Sequence, residues 1–262
     1  MQLRDQHVFI TGGGSGIGLA LAQAFLVRGN RVTICGRNAD RLEQAGAANP
    51  GLEFFVADIA TENGLHAVAA ELQGRLGTVS ILVNNAAIGE SYCLRHTPDA
   101  FSRLEAELAT GLLAPLRLCR MFLPQLSARQ DTAIVNISSA YALWPCPVLP
   151  GYSVAKSGFR AFTKILRAHT RATPCKIFEV LPPLVDTKLV NWVDKPKITP
   201  AKVAAKTLNG MARDKEEIII GEVNLLCLGL RLWPWLTDQV MARYPMTLRD
   251  LDRINRTKST DR

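Results

Sequence analysis

Residues 7–18 read HVFITGGGSGIG and residues 17–27 continue as IGLALAQAFLV. His7–Thr11 is short and β-rich, which predicts a strand. Thr11–Gly18 is dense in glycine, and Ile17–Val27 is helix-forming with Gly29-Asn30 as its stop signal. A strand running through a glycine turn into a helix is the opening of a βαβ unit. Glycine at that turn lets backbone approach an anion closely, and the helix start presents free N–H groups with a partial positive charge. The bland alternative is a glycine turn that binds nothing. The G-x-G-x-x-G spacing is not met, because counting from Gly12 the third glycine falls on Ile17. No Walker lysine follows the loop, which excludes a P-loop.

The alternation continues outward from this unit. Arg31–Cys35, Leu52–Ala57, Val79–Asn84, Ala133–Ser138, Lys176–Leu181 and Glu217–Ile220 read as strands. Asn38–Ala48, Glu62–Arg75, a long region from Pro98 to Leu126, Tyr152–Arg171 and Pro200–Arg213 read as helices. Seven short apolar strands separated by helices predict a mostly parallel sheet covered on both faces. Right-handed crossovers make that a doubly wound, Rossmann-type α/β fold. No linker or repeat interrupts residues 1–262, so one domain is expected, with 189–262 as a substrate-side and C-terminal extension. Leu143–Gly151 (LWPCPVLPG) carries three prolines and predicts a stiff loop outside any helix.

Composition excludes several classes. In 262 residues, 48% are hydrophobic and 21% charged, which rules out a disordered chain or a disulfide-stapled scaffold. The apolar stretch Val223–Leu236 is broken by Asn224, Arg231 and Pro234, so stable membrane insertion is not expected. The N-terminus carries Asp5 and reaches glycines before a secretory core could form. Six cysteines without C-x-x-C spacing read as reduced thiols, and a cytoplasmic location is expected.

Three residues carry candidate chemistry. Tyr152 and Lys156 lie four apart at a helix start and share one face. An ammonium near a phenol stabilises the phenolate, so the pair can exchange a proton with an alcohol or a carbonyl. Ser139 falls just beyond the strand Ile134–Ser138, on the side where open α/β sheets bind ligands. Each alone has a dull explanation; the ordered set is the signal. After the second strand comes Gly36-Arg37 with no carboxylate, which suits a 2′-phosphate better than a free ribose hydroxyl. A surface arginine opening the next helix is the alternative. Gly151–Ala155 approaches a G-x-S-x-G elbow, but Ser153 follows a proline-rich loop instead of a strand. The four histidines (7, 66, 96, 169) show no metal spacing, and no metal is expected.

Taken together, residues 5–221 resemble a short-chain dehydrogenase/reductase of the classical type. The motifs are T-G-x-x-x-G-x-G at Thr11–Gly18, Asp58, N-N-A-[AG] at Asn84–Ala87, Ser139, Y-x-x-x-K at Tyr152–Lys156, and Pro182–Thr187 in place of P-G-x-x-x-T. The Pro-Pro-x-Val-Asp-Thr variant and the segment at 217–222 resemble a bacterial subgroup labelled DltE-like. The resemblance implies Gly12, Gly16, Ile17 and Gly18 at the pyrophosphate, with Thr11, Gly14 and Ser15 also in the cofactor site, and Arg37 at a 2′-phosphate. It adds Asp58 and Ile59 at the adenine, Asn84 and Ala86 in the cleft, and Val185 and Thr187 at the nicotinamide carboxamide. Tyr152 would be the acid/base, Lys156 would hold the ribose and depress the tyrosine pKa, and Ser139 would orient the substrate oxygen. One departure stands out: the family's fourth catalytic residue, an asparagine in a proton relay, aligns with Gly111. With Pro115, Gly111 is also expected to loosen or kink the long helix.

The implied activity is hydride transfer between NADP(H), with NAD(H) possible, and a carbonyl or secondary alcohol. A catalytically weak dinucleotide sensor is the alternative that Gly111 raises. An extended-type epimerase or dehydratase does not fit, because Ser15 stands where its second glycine is needed. Ile88, Leu143, Trp144, Val148, Leu184 and Trp192 are the expected pocket neighbours, implying a hydrophobic small-molecule substrate. A homodimer or homotetramer is expected. Val223–Trp235 reads as packing on the pocket or a subunit contact rather than a membrane anchor. The net charge of +8 splits into 18 Lys/Arg against 15 Asp/Glu in residues 1–194, and 13 against 8 beyond. That spread argues against nucleic acid as a partner.

Overall fold

The computed structural model describes residues 1–72, 78–191, 193–232 and 235. Its strands are β1 (His7–Thr11), β2 (Arg31–Gly36), β3 (Leu52–Val56), β4 (Val79–Asn84), β5 (Ala133–Ile137), β6 (Lys176–Leu181) and β7 (Glu217–Ile219). The helices are α1 (Gly16–Leu26), α2 (Ala39–Ala48), α3 (Glu62–Glu71), α4 (Ala100–Leu108), α5 (Ala114–Ser127), α6 (Pro150–Thr170), α7 (Pro200–Ala212) and α8 (Val223–Leu232). The strands form one sheet in the order β3-β2-β1-β4-β5-β6-β7, and every neighbouring pair is parallel. The order reverses between β1 and β4, so the strand ends there open a crevice, the place where such sheets bind ligands.

Strand periodicity divides the core. In β1, Val8 and Ile10 join a cluster with Leu21 and Phe25 of α1, Leu42 of α2 and Val203 and Leu208 of α7. Phe9 points the other way, among Val68 of α3, Leu118 and Phe122 of α5 and Leu166 of α6. Its ring stacks between Phe55 and Phe122 at 5.8 and 5.7 Å. Burying a side chain of this size contributes about 1.5–3 kcal/mol, so both faces are strongly held. Several helix starts are set by side-chain caps: Asn38 accepts the Arg41 N–H at 2.8 Å and Thr61 accepts the Gly64 N–H at 3.0 Å.

Three sequence expectations are corrected. The long region from Pro98 is divided into α4 and α5 by a π-helical turn, Ala109–Leu113, centred on Gly111. A π turn lets the axis shift where glycine weakens the helix. α6 begins at Pro150 instead of Tyr152, because proline fits the first helical position, where no N–H is needed. Pro150 and Gly151 therefore leave the predicted loop. Strand β7 ends at Ile219, although the Ile220 N–H still bonds to the Leu181 carbonyl at 3.1 Å. The end of the predicted helix 62–75, Trp192, part of 223–236 and the tail Arg249–Arg262 lie outside the described residues.

Candidate active site

The glycine loop is tied to the sheet from both sides. The Gly12 and Gly13 N–H groups donate to the Cys35 carbonyl at 2.8 and 3.2 Å. Asn85 Nδ2 donates to the carbonyls of Thr11 and Gly12 at 2.9 and 3.1 Å. Gly12 and Gly16 have φ of +65° and +55°, a region side chains avoid. A Cβ on Gly18 would stand 2.3 Å from the Gly12 carbonyl oxygen, so the helix can approach the loop this closely only without one. The start of α1 has neither a side-chain cap nor an acidic residue, leaving its N–H groups available to an anion. A cavity of about 960 Å³ opens in front of it, lined by Gly12, Gly14, Ser15, Gly16 and Ile17. The loop therefore fits a pyrophosphate.

The far wall continues through Arg37, Asn38, Arg41, Asp58 and Ile59. Arg37 is exposed, with Nη1 4.0 Å from Asp58 Oδ2. Arg41, in the first turn of α2, adds a second arginine to the lining that the sequence reading missed. Ala86, Val185 and Thr187 also line the cavity, and Thr187 abuts Gly16.

At the other end, Lys156 is buried and its Nζ donates to the Ile137 carbonyl at 2.7 Å. The same Nζ lies 5.7 Å from the centre of the Tyr152 ring. Ser139 accepts the Tyr141 N–H at 3.1 Å and hydrogen-bonds the Tyr152 hydroxyl. Tyr141 meets the Tyr152 ring edge-on, 6.4 Å between centres. Gly89 packs so close that a Cβ there would stand 3.1 Å from the ring. Burial pushes the Tyr152 phenol up to about 12, against the Ser139 hydrogen bond, with the Glu107 charge adding to the rise. Burial lowers Lys156 to about 8, opposed by the charge of Glu179. The protein alone thus keeps the phenol protonated and leaves the lysine near its titration point. The expected depression of the tyrosine pKa is not produced by these side chains on their own.

The structure brings Ser139, Tyr152, Lys156 and most of the expected cofactor residues to one cavity. Three others work behind it. Asn84 is buried inside the sheet, where its Nδ2 donates to Asn136 Oδ1 at 2.9 Å, and Asn85 lines the cavity instead. Thr11 is buried and its Oγ1 accepts the N–H groups of Asn85 and Ala86, both at 3.1 Å. Gly18 supplies the close approach described above. Gly111 is buried in the π turn, where an added Cβ would meet the Ala155 Cβ at 3.2 Å.

Of the expected pocket neighbours, Ile88, Trp144 and Leu184 line the cavity. Leu143 does not, and Val148 is buried with Cys146 and Leu149 against Tyr152. Leu189, Val190, Val223 and Leu225 add apolar surface that the sequence reading missed. Ser153, of the hydrolase-like pattern, is buried and accepts the Cys146 N–H at 2.9 Å, a loop-holding role. Among the described residues no cluster of His, Cys, Asp or Glu could hold a metal. No described helix is long and apolar enough to cross a membrane.

An anion-ready glycine loop at the switch point, joined by one cavity to a serine, a tyrosine and a lysine, defines a dinucleotide-dependent oxidoreductase site. The chain belongs to the short chain dehydrogenase family, whose family model matches residues 6–197. It is 31% identical over 224 residues to the uncharacterized oxidoreductase DltE of Bacillus subtilis, covering 83% of this chain and 89% of that protein. It is 33% identical over 191 residues to the probable galactose dehydrogenase GalD of Rhizobium meliloti, covering 71% and 74%. Its fold matches a short chain dehydrogenase from Burkholderia cenocepacia in complex with NADP, with a TM-score of 0.81 and 25% identity. That match spans 93% of this chain and 98% of the other. The chain is a short-chain dehydrogenase/reductase acting on CH–OH or C=O groups.

Proposed function

We propose that this enzyme uses NADP(H) to interconvert an apolar carbonyl compound and its secondary alcohol. The observation that carries the cofactor half is the pair Arg37 and Arg41 in the lining of the cavity that opens at the glycine loop, where the adenosine would lie. Two guanidinium groups there favour a 2′-phosphate, since arginine binds phosphate through paired, charge-assisted hydrogen bonds. The Burkholderia relative's NADP complex supports the same choice. The substrate half rests on the lining of Ile88, Trp144, Leu184, Leu189 and Val190, which offers little to a polyhydroxylated molecule. The name of the Rhizobium relative points instead to a sugar, and the two classes are separable by assay.

When bound, the nicotinamide supplies or accepts the hydride. Ser139 holds the substrate oxygen, and Tyr152 gives it a proton in reduction or removes one in oxidation. Lys156, held by the Ile137 carbonyl, places a positive charge near the tyrosine and would hold the ribose hydroxyls of the bound cofactor. Gly111 contributes no side chain to proton movement, so water must carry that step. We read residues 1–262 as one domain, a cytoplasmic homodimer or homotetramer, with exposed Phe101, Leu113 and Val154 available for subunit contact.

The test is NADPH consumption with a panel of aryl and alkyl ketones beside galactose and small hydroxy acids. Turnover of the apolar ketones with NADPH supports the reading. Preference for NADH, or for galactose, overturns the corresponding half. Tight NADPH binding with no turnover on any substrate favours the sensor.

A further inference from the structure

Glu107 of α4 is almost completely buried, and the chemistry described so far gives it no part. Both carboxylate oxygens are occupied. Oε1 accepts the Glu90 N–H at 2.8 Å, and Oε2 accepts the Tyr92 hydroxyl at 2.7 Å. The Tyr92 oxygen in turn accepts the Gly151 N–H at 3.2 Å, in the first turn of α6. This fixes the direction of the chain: Gly151 N–H to Tyr92 hydroxyl to Glu107. The Tyr152 N–H also acts on the carboxylate, lowering its pKa slightly. Burial pushes the Glu107 carboxyl above the usual carboxylate range, but every partner is a donor, which opposes that rise and favours the ionised form. A carboxylate at a helix N-terminus is further favoured by the helix dipole.

The junction leaves no space. A Cβ on Gly151 would stand 2.1 Å from Glu107 Oε2, 2.7 Å from the Tyr92 hydroxyl and 3.0 Å from the Leu104 Cα. Glycine at 151 is therefore what lets α6 close onto α4 and the loop after β4, one residue before Tyr152.

We propose that Glu107 is a positioning residue for the reaction, tying the first turn of α6 to α4 through Tyr92 and holding a fixed negative charge at the start of the helix that carries Tyr152. The inference rests on the reading of Tyr152 as the proton donor. The other charged and titratable groups around this tyrosine are Lys156 on its own helix, Tyr141 from the turn after β5, Tyr92, Cys93 and Glu90 from the loop after β4, and Cys146 from the loop before α6, whose thiol burial pushes up. Arg103 of α4 is engaged by Asp99 and Glu90, at 2.9 and 2.8 Å, and Glu179 of β6 acts on Lys156. Glu107 is the carboxylate whose charge reaches Tyr152 directly, and it opposes the phenolate.

The experiment is an ultraviolet tyrosinate titration of the full-length protein saturated with NADP⁺. The Tyr152 step is the part of the signal missing from Tyr152→Phe. In Glu107→Gln, removing the charge moves this step down by about half a unit to one unit, taken against Glu107→Gln/Tyr152→Phe. In Tyr92→Phe the charge remains, so the step does not move down, while turnover of acetophenone with NADPH falls about tenfold at unchanged NADPH affinity. A Tyr152 step unmoved in Glu107→Gln overturns the proposal. If Glu107→Gln does not fold, Tyr92→Phe decides, and wild-type turnover in that variant overturns it. Wild-type turnover in Tyr152→Phe contradicts the proton-donor reading instead, and leaves the titration result standing on its own.

Discussion

Lys156 reaches from α6 to donate its Nζ proton to the Ile137 carbonyl at 2.7 Å, the last residue of β5. Ser139 lies two residues beyond that carbonyl, so one strand end sets both the ammonium and the hydroxyl that faces Tyr152. The lysine is placed for chemistry at some cost to the fold, since burial lowers it from 10.5 to about 8. Below pH 8 the folded chain holds a buried ammonium that the unfolded chain keeps in water. Between pH 8 and 10.5 the folded lysine is neutral while the unfolded one is still protonated, so its contribution to stability rises with pH across that window.

Lys156→Met therefore stabilises the cofactor-free protein at pH 7 by about 2 kcal/mol, net of the lost hydrogen bond. The gain shrinks by pH 9.5, and activity is lost at both. Denaturant midpoints of the two proteins at pH 7 and 9.5 check this. A destabilised variant at pH 7 contradicts it.

The double variant Arg37→Ala/Arg41→Ala raises the KM for NADPH by about 10–100-fold, the worth of one or two charge-assisted phosphate contacts. The KM for NADH stays within about threefold. Steady-state kinetics with both cofactors reads this directly, and an equal rise for both removes the arginines from the 2′-phosphate.

Gly18→Ala places a methyl 2.3 Å from the Gly12 carbonyl and 2.5 Å from Asn85 Nδ2. Both belong to the fixed frame of the loop, so the loop must shift. The expected cost is about 1–3 kcal/mol of stability with at least tenfold weaker NADPH binding. Calorimetry and fluorescence titration measure the two. Wild-type affinity in this variant would show that the loop does not need the close approach.

Much of this was legible in the sequence because it is local. The glycine loop, the seven apolar strands and the Tyr152–Lys156 spacing are each set by residues near one another in the chain. What escaped depends on tertiary contact. Asn84 and Asn85 look equivalent in sequence, but strand alternation turns the first into the sheet, against its registered partner Asn136, and leaves the second at the loop. Arg41 belongs to the site only because α2 starts at Ala39 and brings its first turn over Gly14. Glu107 gives no local signal, since a carboxylate in a helix is ordinarily solvated; only the packing of α4 on α6 buries it. The π turn was half visible, in Gly111 and Pro115.

The central claim is that Tyr152 moves the proton while the glycine loop and arginines hold NADP(H). The most direct measurement compares wild type and Tyr152→Phe for NADPH turnover of an apolar ketone, with NADPH affinity read separately by fluorescence. The account predicts a fall in kcat of about 10²–10⁴-fold at unchanged NADPH affinity. Turnover at the wild-type rate in Tyr152→Phe would contradict it.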